Sequence, residues 1–368
     1  MILEDFDYAN FKVNDVQGRY VTNQHILPFL KQLDSSFNLE VIGTSVNQNP
    51  IYGLTVGSGP IKILMWSQMH GNESTTTKAV LDLLHFFELE NDNGTEILSS
   101  CTLKIIPILN PDGAEAYTRI NANEIDLNRD AQKRTQPESR VLKYIYDEFK
   151  PDYCFNLHDQ RTIFNVGNTD KPATISFLAP AFDEDRNNSE SRELSMLLIA
   201  AMNSKLQTII KGQVGRYDDS FNSNCVGDAF QMRQTPTILF EAGHFPEDYA
   251  REKTRELIFL ALTEVIIRII NNSANDFSIE DYLSIPENNK MFFDVLIKNA
   301  HMIDSSLEHN SNIGVLFKEV LKMGEIVFSP TLEKQGLSIN EYFGHKTLDC
   351  SVESDMEWMA QNGILKLF

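Results

Sequence analysis

Ile61-Lys62-Ile63-Leu64-Met65-Trp66, followed after three residues by His70-Gly71-Asn72-Glu73, decides the reading of this chain. A short apolar run that ends in polar residues reads as a buried strand. Beyond it, Ala79, Val80, Leu83, Leu84 and Phe87 recur at helical spacing and predict an amphipathic helix over residues 75–90. The turn between them presents an imidazole and a carboxylate three positions apart, at a strand end, where α/β sheets bind ligands. These groups suit Zn²⁺, which takes nitrogen and oxygen ligands at about 2.0–2.2 Å. A catalytic zinc also needs a third protein ligand and an open position. The structural alternative is a helix start capped by Asn72 or Ser74, with Glu73 near its N-terminus and an incidental histidine.

The same alternation continues outward. Leu39 to Val46, Ile51 to Val56, Leu103 to Leu109, Tyr153 to Leu157 and Thr237 to Phe240 read as strands. Pro137 to Phe149, Leu194 to Ile210 and Tyr249 to Ile270 read as helices. Strands alternating with helices predict an α/β fold with helices on both faces of the sheet. The texture changes at Asn271-Asn272-Ser273-Ala274-Asn275-Asp276, which reads as a linker. Residues 285–368 carry short strand-like runs, Met291 to Ile297, Ile313 to Phe317 and Glu325 to Phe328. The expected organisation is a catalytic domain over 1–272 and a small, β-rich or α+β C-terminal domain over 285–368. That segment shows no chemistry-bearing cluster, and His301, His309 and His345 read as structural or surface residues.

The 368 residues are 42% hydrophobic and 23% charged, a globular balance, with a formal net charge of −20 and a pI of about 4.8. Such a surface repels phosphate backbones and argues against nucleic acid as a partner. Cys101, Cys154, Cys225 and Cys350 are far apart and form no CxxC pair, as expected of reduced thiols. Met1-Ile2-Leu3-Glu4-Asp5-Phe6-Asp7 lacks the pattern of a signal peptide. Leu257 to Ile270 is interrupted by Glu264 and Arg268 and is too short to span a bilayer. A cytoplasmic protein without membrane partners is the expectation.

A third ligand candidate is His158, in Phe155-Asn156-Leu157-His158-Asp159, again beside a short apolar strand. With His70 and Glu73 it would complete a His₂Glu site with one open corner. Glu241, in Thr237-Ile238-Leu239-Phe240-Glu241, follows apolar strand residues, where a carboxylate is costly unless it serves a partner. It is the candidate base; helix capping or pairing with Arg251 are its structural alternatives. Asn110-Pro111-Asp112-Gly113 and the stretch from Arg119 to Asp130 offer an anion clamp. An Asn128-Arg129 pair can hold a carboxylate through a guanidinium fork and an amide N–H. Arg119 can stabilise an oxyanion, and Asp126 is the natural acceptor for the second N–H of a ligating histidine. An exposed polar turn is the plain reading of Asp126-Leu127-Asn128-Arg129.

Taken in order, His70-Gly71-Asn72-Glu73, Asn110-Pro111-Asp112-Gly113, Asp126-Leu127-Asn128-Arg129, His158 and Glu241 resemble the zinc carboxypeptidase family over roughly residues 40–270. The resemblance implies a mixed, mostly parallel sheet and one Zn²⁺ held by His70, Glu73 and His158. It implies Glu241 as general base, Arg119 at the oxyanion, Asn128 and Arg129 on the substrate's terminal carboxylate, and Asp126 behind a ligand histidine. The activity implied is hydrolysis next to a C-terminal residue, or, as the alternative, hydrolysis of an N-acyl amino acid. The short interval from Glu73 to His158 is similar to compact bacterial intracellular branches. Asp130 stands where Asn is frequent, and Tyr217 is the best counterpart for the substrate-closing tyrosine. The loop around Tyr217, rich in Asp and Asn, reads either as the lining of a side-chain pocket for a basic group or as a solvated turn.

Overall fold

A computed structural model describes residues 7–89 and 91–368; Met1 to Phe6, most of the stretch read above for a leader, lie outside the described residues. In chain order the strands of the first region are β1 (Glu40–Thr44), β2 (Pro50–Val56), β3 (Ile61–Trp66), β4 (Cys101–Ile106), β5 (Tyr153–Asp159), β6 (Asn165–Val166), β7 (Ile175–Leu178), β8 (Val214–Arg216) and β9 (Thr237–Ala242). Eight of them form one mixed sheet in the order β1-β2-β4-β3-β5-β9-β7-β8. Its centre, β4-β3-β5-β9, is parallel, and the antiparallel joins lie to either side.

Both faces of this centre are covered, as a parallel sheet requires. Alternate residues of β3 separate into two cores. Ile63 and Met65 join one with the helices Thr75–Glu88, Glu190–Gln207 and Glu252–Ile270. Leu64 and Trp66 join another with helix Pro137–Phe149 and with Val226 and Phe230. The period-2 geometry of a strand produces this division. The chain passes from β3 to β4 on one side and returns to β5 on the other. The C-terminal ends of β3 and β5 therefore flank a topological switch point, where a crevice opens.

Two glycines let the loops above that crevice close up. A Cβ on Gly71 would lie 1.9 Å from the backbone carbon of Gly113. The turn after β3 thus packs directly on the turn after β4.

A second sheet follows: β11 (Phe292–Lys298), β12 (Asn312–Lys322), β13 (Glu325–Gly336) and β14 (Phe343–Asp349), in the order β13-β12-β11-β14. A two-residue strand, β10 (Asn288–Asn289), pairs with β6 and ties the two regions together. Val295, Ile297, Ile313, Val315, Leu348 and Met359 form a core of their own beneath helix Glu353–Gln361. β12 and β13 form a long ribbon, turned by Met323 and Gly324, both at positive φ.

Several boundaries differ from the sequence reading, each for a local reason. β5 and β9 extend through His158 and Glu241, because their ladder continues to Asp159 and Ala242. The long helix begins at Glu252 rather than Tyr249. The Asp248 carboxylate accepts from the backbone N–H groups of Glu252, Lys253 and Thr254, and Arg251 at φ 57° cannot extend the helix backwards. Asn271 to Asp276 is not a free linker: Ala274 is buried in a 3-10 turn, and the helix Ile279–Leu283 buries Tyr282. The short strands β7 and β8 and the helix Asp92–Ser100 carry too few apolar residues for their periodicity to be read.

Candidate active site

The site is built on the ends of three adjacent strands. β3 ends at Trp66, and a tight turn, in which Glu73 N–H donates to the His70 carbonyl at 3.0 Å, brings the Glu73 carboxylate back onto the His70 ring. His158 and Glu241 are paired residues in the β5–β9 ladder. Paired residues of neighbouring strands project to the same face, so the third imidazole-site candidate and the candidate base stand side by side.

The two imidazoles and the carboxylate converge. His70 Nδ1 lies 2.8 Å from Glu73 Oε1, and His158 Nδ1 lies 2.8 Å from Glu73 Oε2 and 3.1 Å from His70 Nδ1. His70 Nε2 faces Asp126 Oδ1 at 3.0 Å, a partner that favours a proton on Nε2 and so frees Nδ1 for a metal. At such distances either a proton or a metal cation stands between a ring nitrogen and a carboxylate oxygen. Two atoms each about 2.05 Å from one ion at a tetrahedral angle stand about 3.3 Å apart. The observed contacts of 2.8–3.1 Å are within a few tenths of that spacing. One ligand atom from each of the three residues lies within 4.8 Å of the others. His158 Nε2 is buried and has no partner among the described residues. His70, Glu73 and His158 thus make a cluster capable of holding a single Zn²⁺.

The electrostatics separate the carboxyl groups. Burial works against ionisation of Glu73, but the His70 and His158 rings overcome it and hold its carboxyl well below the usual range. Asp126 is likewise held low against partial burial, by hydrogen bonds and charge from His70 and Arg119. Glu241 goes the other way: burial, then the negative charges of Glu73 and Asp159, push its carboxyl well above the usual value. Among the described residues no donor is engaged with its side chain. Arg251 does not pair with it; its guanidinium donates to the carbonyls of Ala242 and Gln160.

Arg119, about half exposed, donates to Glu73 Oε1 at 3.3 Å and through Nε and Nη2 to Asp126 Oδ2 at 3.1 and 3.0 Å. Asp126 also accepts from Asn128 N–H at 2.9 Å. The short helical turn Leu127–Arg129 therefore hangs on the same carboxylate that orients His70. Asn128 Oδ1 accepts from Val226 N–H at 2.9 Å, which leaves its amide N–H₂ free. Arg129 is exposed and uses one nitrogen on Asn128 O and Cys225 Sγ. Tyr217 is half-buried, its ring 5.3 Å from that of Phe164. Burial and the charges of Glu241 and Glu73 keep its phenol protonated.

One candidate segment has a different place. Asn110-Pro111-Asp112-Gly113 is wholly buried and is not part of an anion clamp. Asn110 caps the helix that Pro111 begins, and Asp112 accepts from Ser45, Asn47 and Asn49. Its work is to fix the loop on which Gly71 rests.

The sequence reading also missed neighbours. Asp159, next to His158, caps the helix after Glu73 through Thr75 and Thr76 N–H groups, and its position beside a strand-end histidine was the available signal. Arg19 and Glu319 meet 300 residues apart in the chain, for which no local pattern exists. Half-buried His345 packs against buried His244, with ring centroids 4.2 Å apart.

A mixed α/β sheet carrying a His-Glu-His cluster at its switch point defines a metal-site hydrolase scaffold. The zinc carboxypeptidase family model matches residues 26–226, more than half of the chain, and the chain belongs to that family. Among curated relatives, "Probable carboxypeptidase 2" of Arthroderma benhamiae is 28% identical over 113 residues, covering 30% of this chain and 21% of that protein. "Carboxypeptidase SOL1" of Arabidopsis thaliana is 27% identical over 210 residues, covering 47% of this chain and 43% of that protein. The matches therefore span less than half the length of either relative. A metallo-carboxypeptidase structure from Burkholderia cenocepacia shares the fold at a TM-score of 0.55 and 16% identity, covering 69% of this chain and 70% of that one. No helix of the described residues is long and apolar enough to cross a membrane.

Proposed function

We propose that this chain is a zinc-dependent metallocarboxypeptidase that hydrolyses the amide bond next to a C-terminal residue bearing a free carboxylate. The observation that carries the reading is the convergence of His70, Glu73 and His158 beside an unengaged Glu241. Bound zinc supplies Lewis acidity, polarising a carbonyl and lowering the pKa of water toward about 7. Glu241 takes the proton of the attacking water on its carboxylate and returns it to the leaving nitrogen as the C–N bond breaks. Arg119, at the edge of the cluster with about half its side chain exposed, stabilises negative charge developing on the carbonyl oxygen. Asn128 and Arg129 receive the substrate's carboxylate through the free amide N–H₂ and guanidinium fork. Asp126 holds His70 in the ligating tautomer. Tyr217 covers the bound substrate.

The finer placing is in the compact bacterial intracellular branch, in the cytoplasm. The four free cysteines support the cytoplasmic part of this placing. A second reading, hydrolysis of N-acyl amino acids, uses the same residues and is favoured by the small cleft, about 410 Å³, that the β12–β13 ribbon lines beside Glu73. A mass-spectrometric screen of the zinc-loaded protein tests both, with peptides carrying free and amidated C-termini beside N-acyl amino acids. Cleavage that requires the free carboxylate and is abolished by a chelator is expected. Equal cleavage of amidated peptides removes the clamp, and inertness toward the whole panel removes the hydrolase reading.

A further inference from the structure

We propose that the second sheet is a specificity wall of the active site, limiting the acyl side of the scissile bond to a short group. A cleft of about 410 Å³ opens directly beside Glu73. That is toward the lower end of the roughly 300–1,000 Å³ typical of small-molecule sites. Its near side is the metal-site loop, Asn72 and Glu73, with Asp159. Its far side is the β12–β13 ribbon, through Phe317, Lys318, Glu319 and Phe328. Arg129 is not among the residues that line it. With the substrate's carboxylate on Arg129 and its carbonyl over the His70–Glu73–His158 cluster, the cleft beside Glu73 is left for the acyl portion, which then meets the ribbon.

The wall is fixed in place by two buried polar brackets. Arg19, fully buried, holds Glu319 with Nη1 to Oε1 at 3.0 Å and Nη2 to Oε2 at 3.2 Å, a two-pronged pairing. The Tyr117 hydroxyl donates to the same carboxylate. Arg19 is itself tied to the metal-site loop, since Ser74 Oγ donates to its carbonyl at 2.6 Å. The second bracket is Asp294 on β11. Its carboxylate accepts from Phe317 N–H at 2.7 Å and from Tyr249 Oη at 2.9 Å. The Tyr249 ring in turn stands 5.4 Å from Phe317 and 5.2 Å from Phe328. Both phenylalanines are thus braced by Tyr249, a residue of the first region that lines the same cleft.

The inference concerns substrate choice and rests on the hydrolytic reading above, so its test separates the two. Zinc-chelating hydroxamates with acyl tails of one to six residues are titrated into the zinc-loaded protein by calorimetry. Hydrolysis of substrates with one C-terminal residue and the same range of acyl lengths is measured in parallel. The wild type is expected to lose at least tenfold in affinity and in kcat/KM once the acyl portion exceeds about two residues. Phe317→Ala with Phe328→Ala is expected to raise the long-to-short ratio at least fivefold. Lys318→Trp, at an exposed strand position that tolerates an aromatic ring, is expected to lower it. Length-independent binding by the wild type overturns the wall, as does a ratio that neither set of substitutions moves. Length-dependent binding without hydrolysis of any substrate keeps the wall and overturns the proposed reaction.

Discussion

At the residue scale, Glu241 and Arg129 make opposite demands on the same substrate and separate kinetically. Glu241 engages no donor among the described residues, so its replacement by the isosteric glutamine costs the fold little. Glu241→Gln should keep one zinc per chain by metal analysis and lose about 10²–10⁴ in kcat, the usual worth of a positioned general base. Near-wild-type turnover would remove the assignment. Arg129 is exposed and makes its recognition through hydrogen bonds to a charged group, worth about 1.5–3 kcal/mol, or about 10–100-fold. Arg129→Ala should therefore raise KM by about that factor for substrates with a free carboxylate while kcat changes little. An equal effect on amidated substrates counts against the clamp.

At the element scale, the short helix Val226–Gln231 carries a pH signature, because it buries Asp228. Burial pushes that carboxyl up to about 7, against the backbone N–H of Asn222, the Cys225 thiol and the charges of Arg129 and Arg192, which favour the ionised form. The folded state thus binds this proton more tightly than the unfolded chain, where a carboxyl titrates near 3.9. Stability from this group is present below about pH 4, declines as pH rises toward 7, and is flat above that. Asp228→Asn should match the wild type in thermal stability at pH 4 and exceed it increasingly up to pH 7, by a few degrees; a pH-independent difference would contradict the burial argument. Elements were legible in the sequence where burial was one-sided or complete. β3, helix Pro137–Phe149 and the metal pair after β3 carry dense apolar patterns or adjacent ligands. Asn110-Pro111-Asp112-Gly113 misled because capping and anion binding use the same residue types, and only burial tells them apart. β7, β8 and the bracket residues Arg19, Asp294 and Glu319 were illegible, because their meaning lies in partners that the chain brings from far away.

At the scale of the whole molecule, the junction between the two sheets is electrostatically delicate. Arg19 and Arg251 are both buried, and burial, then the nearby charge of Arg19, lowers the basicity of Arg251. Their balancing charges come from both regions of the chain: Asp159, 3.9 Å from Arg251, and Glu319 from the ribbon. Removing Glu319 leaves two buried cations against one carboxylate and strips the Tyr117 hydroxyl of its acceptor. Breaking one side of a buried pair costs about 3–5 kcal/mol, whereas replacing both partners by apolar groups is often neutral. The Glu319 side chain retains 24% exposure, so water recovers part of the loss. Glu319→Ala should cost about 2–3 kcal/mol in chemical denaturation, at the lower end of that range or below it. The double variant Arg19→Met with Glu319→Leu should be clearly more stable than Glu319→Ala, since it removes the stranded charge along with its partner. A double variant no more stable than the single one would mean that side-chain packing, rather than the ion pair, joins the ribbon to the metal-site loop.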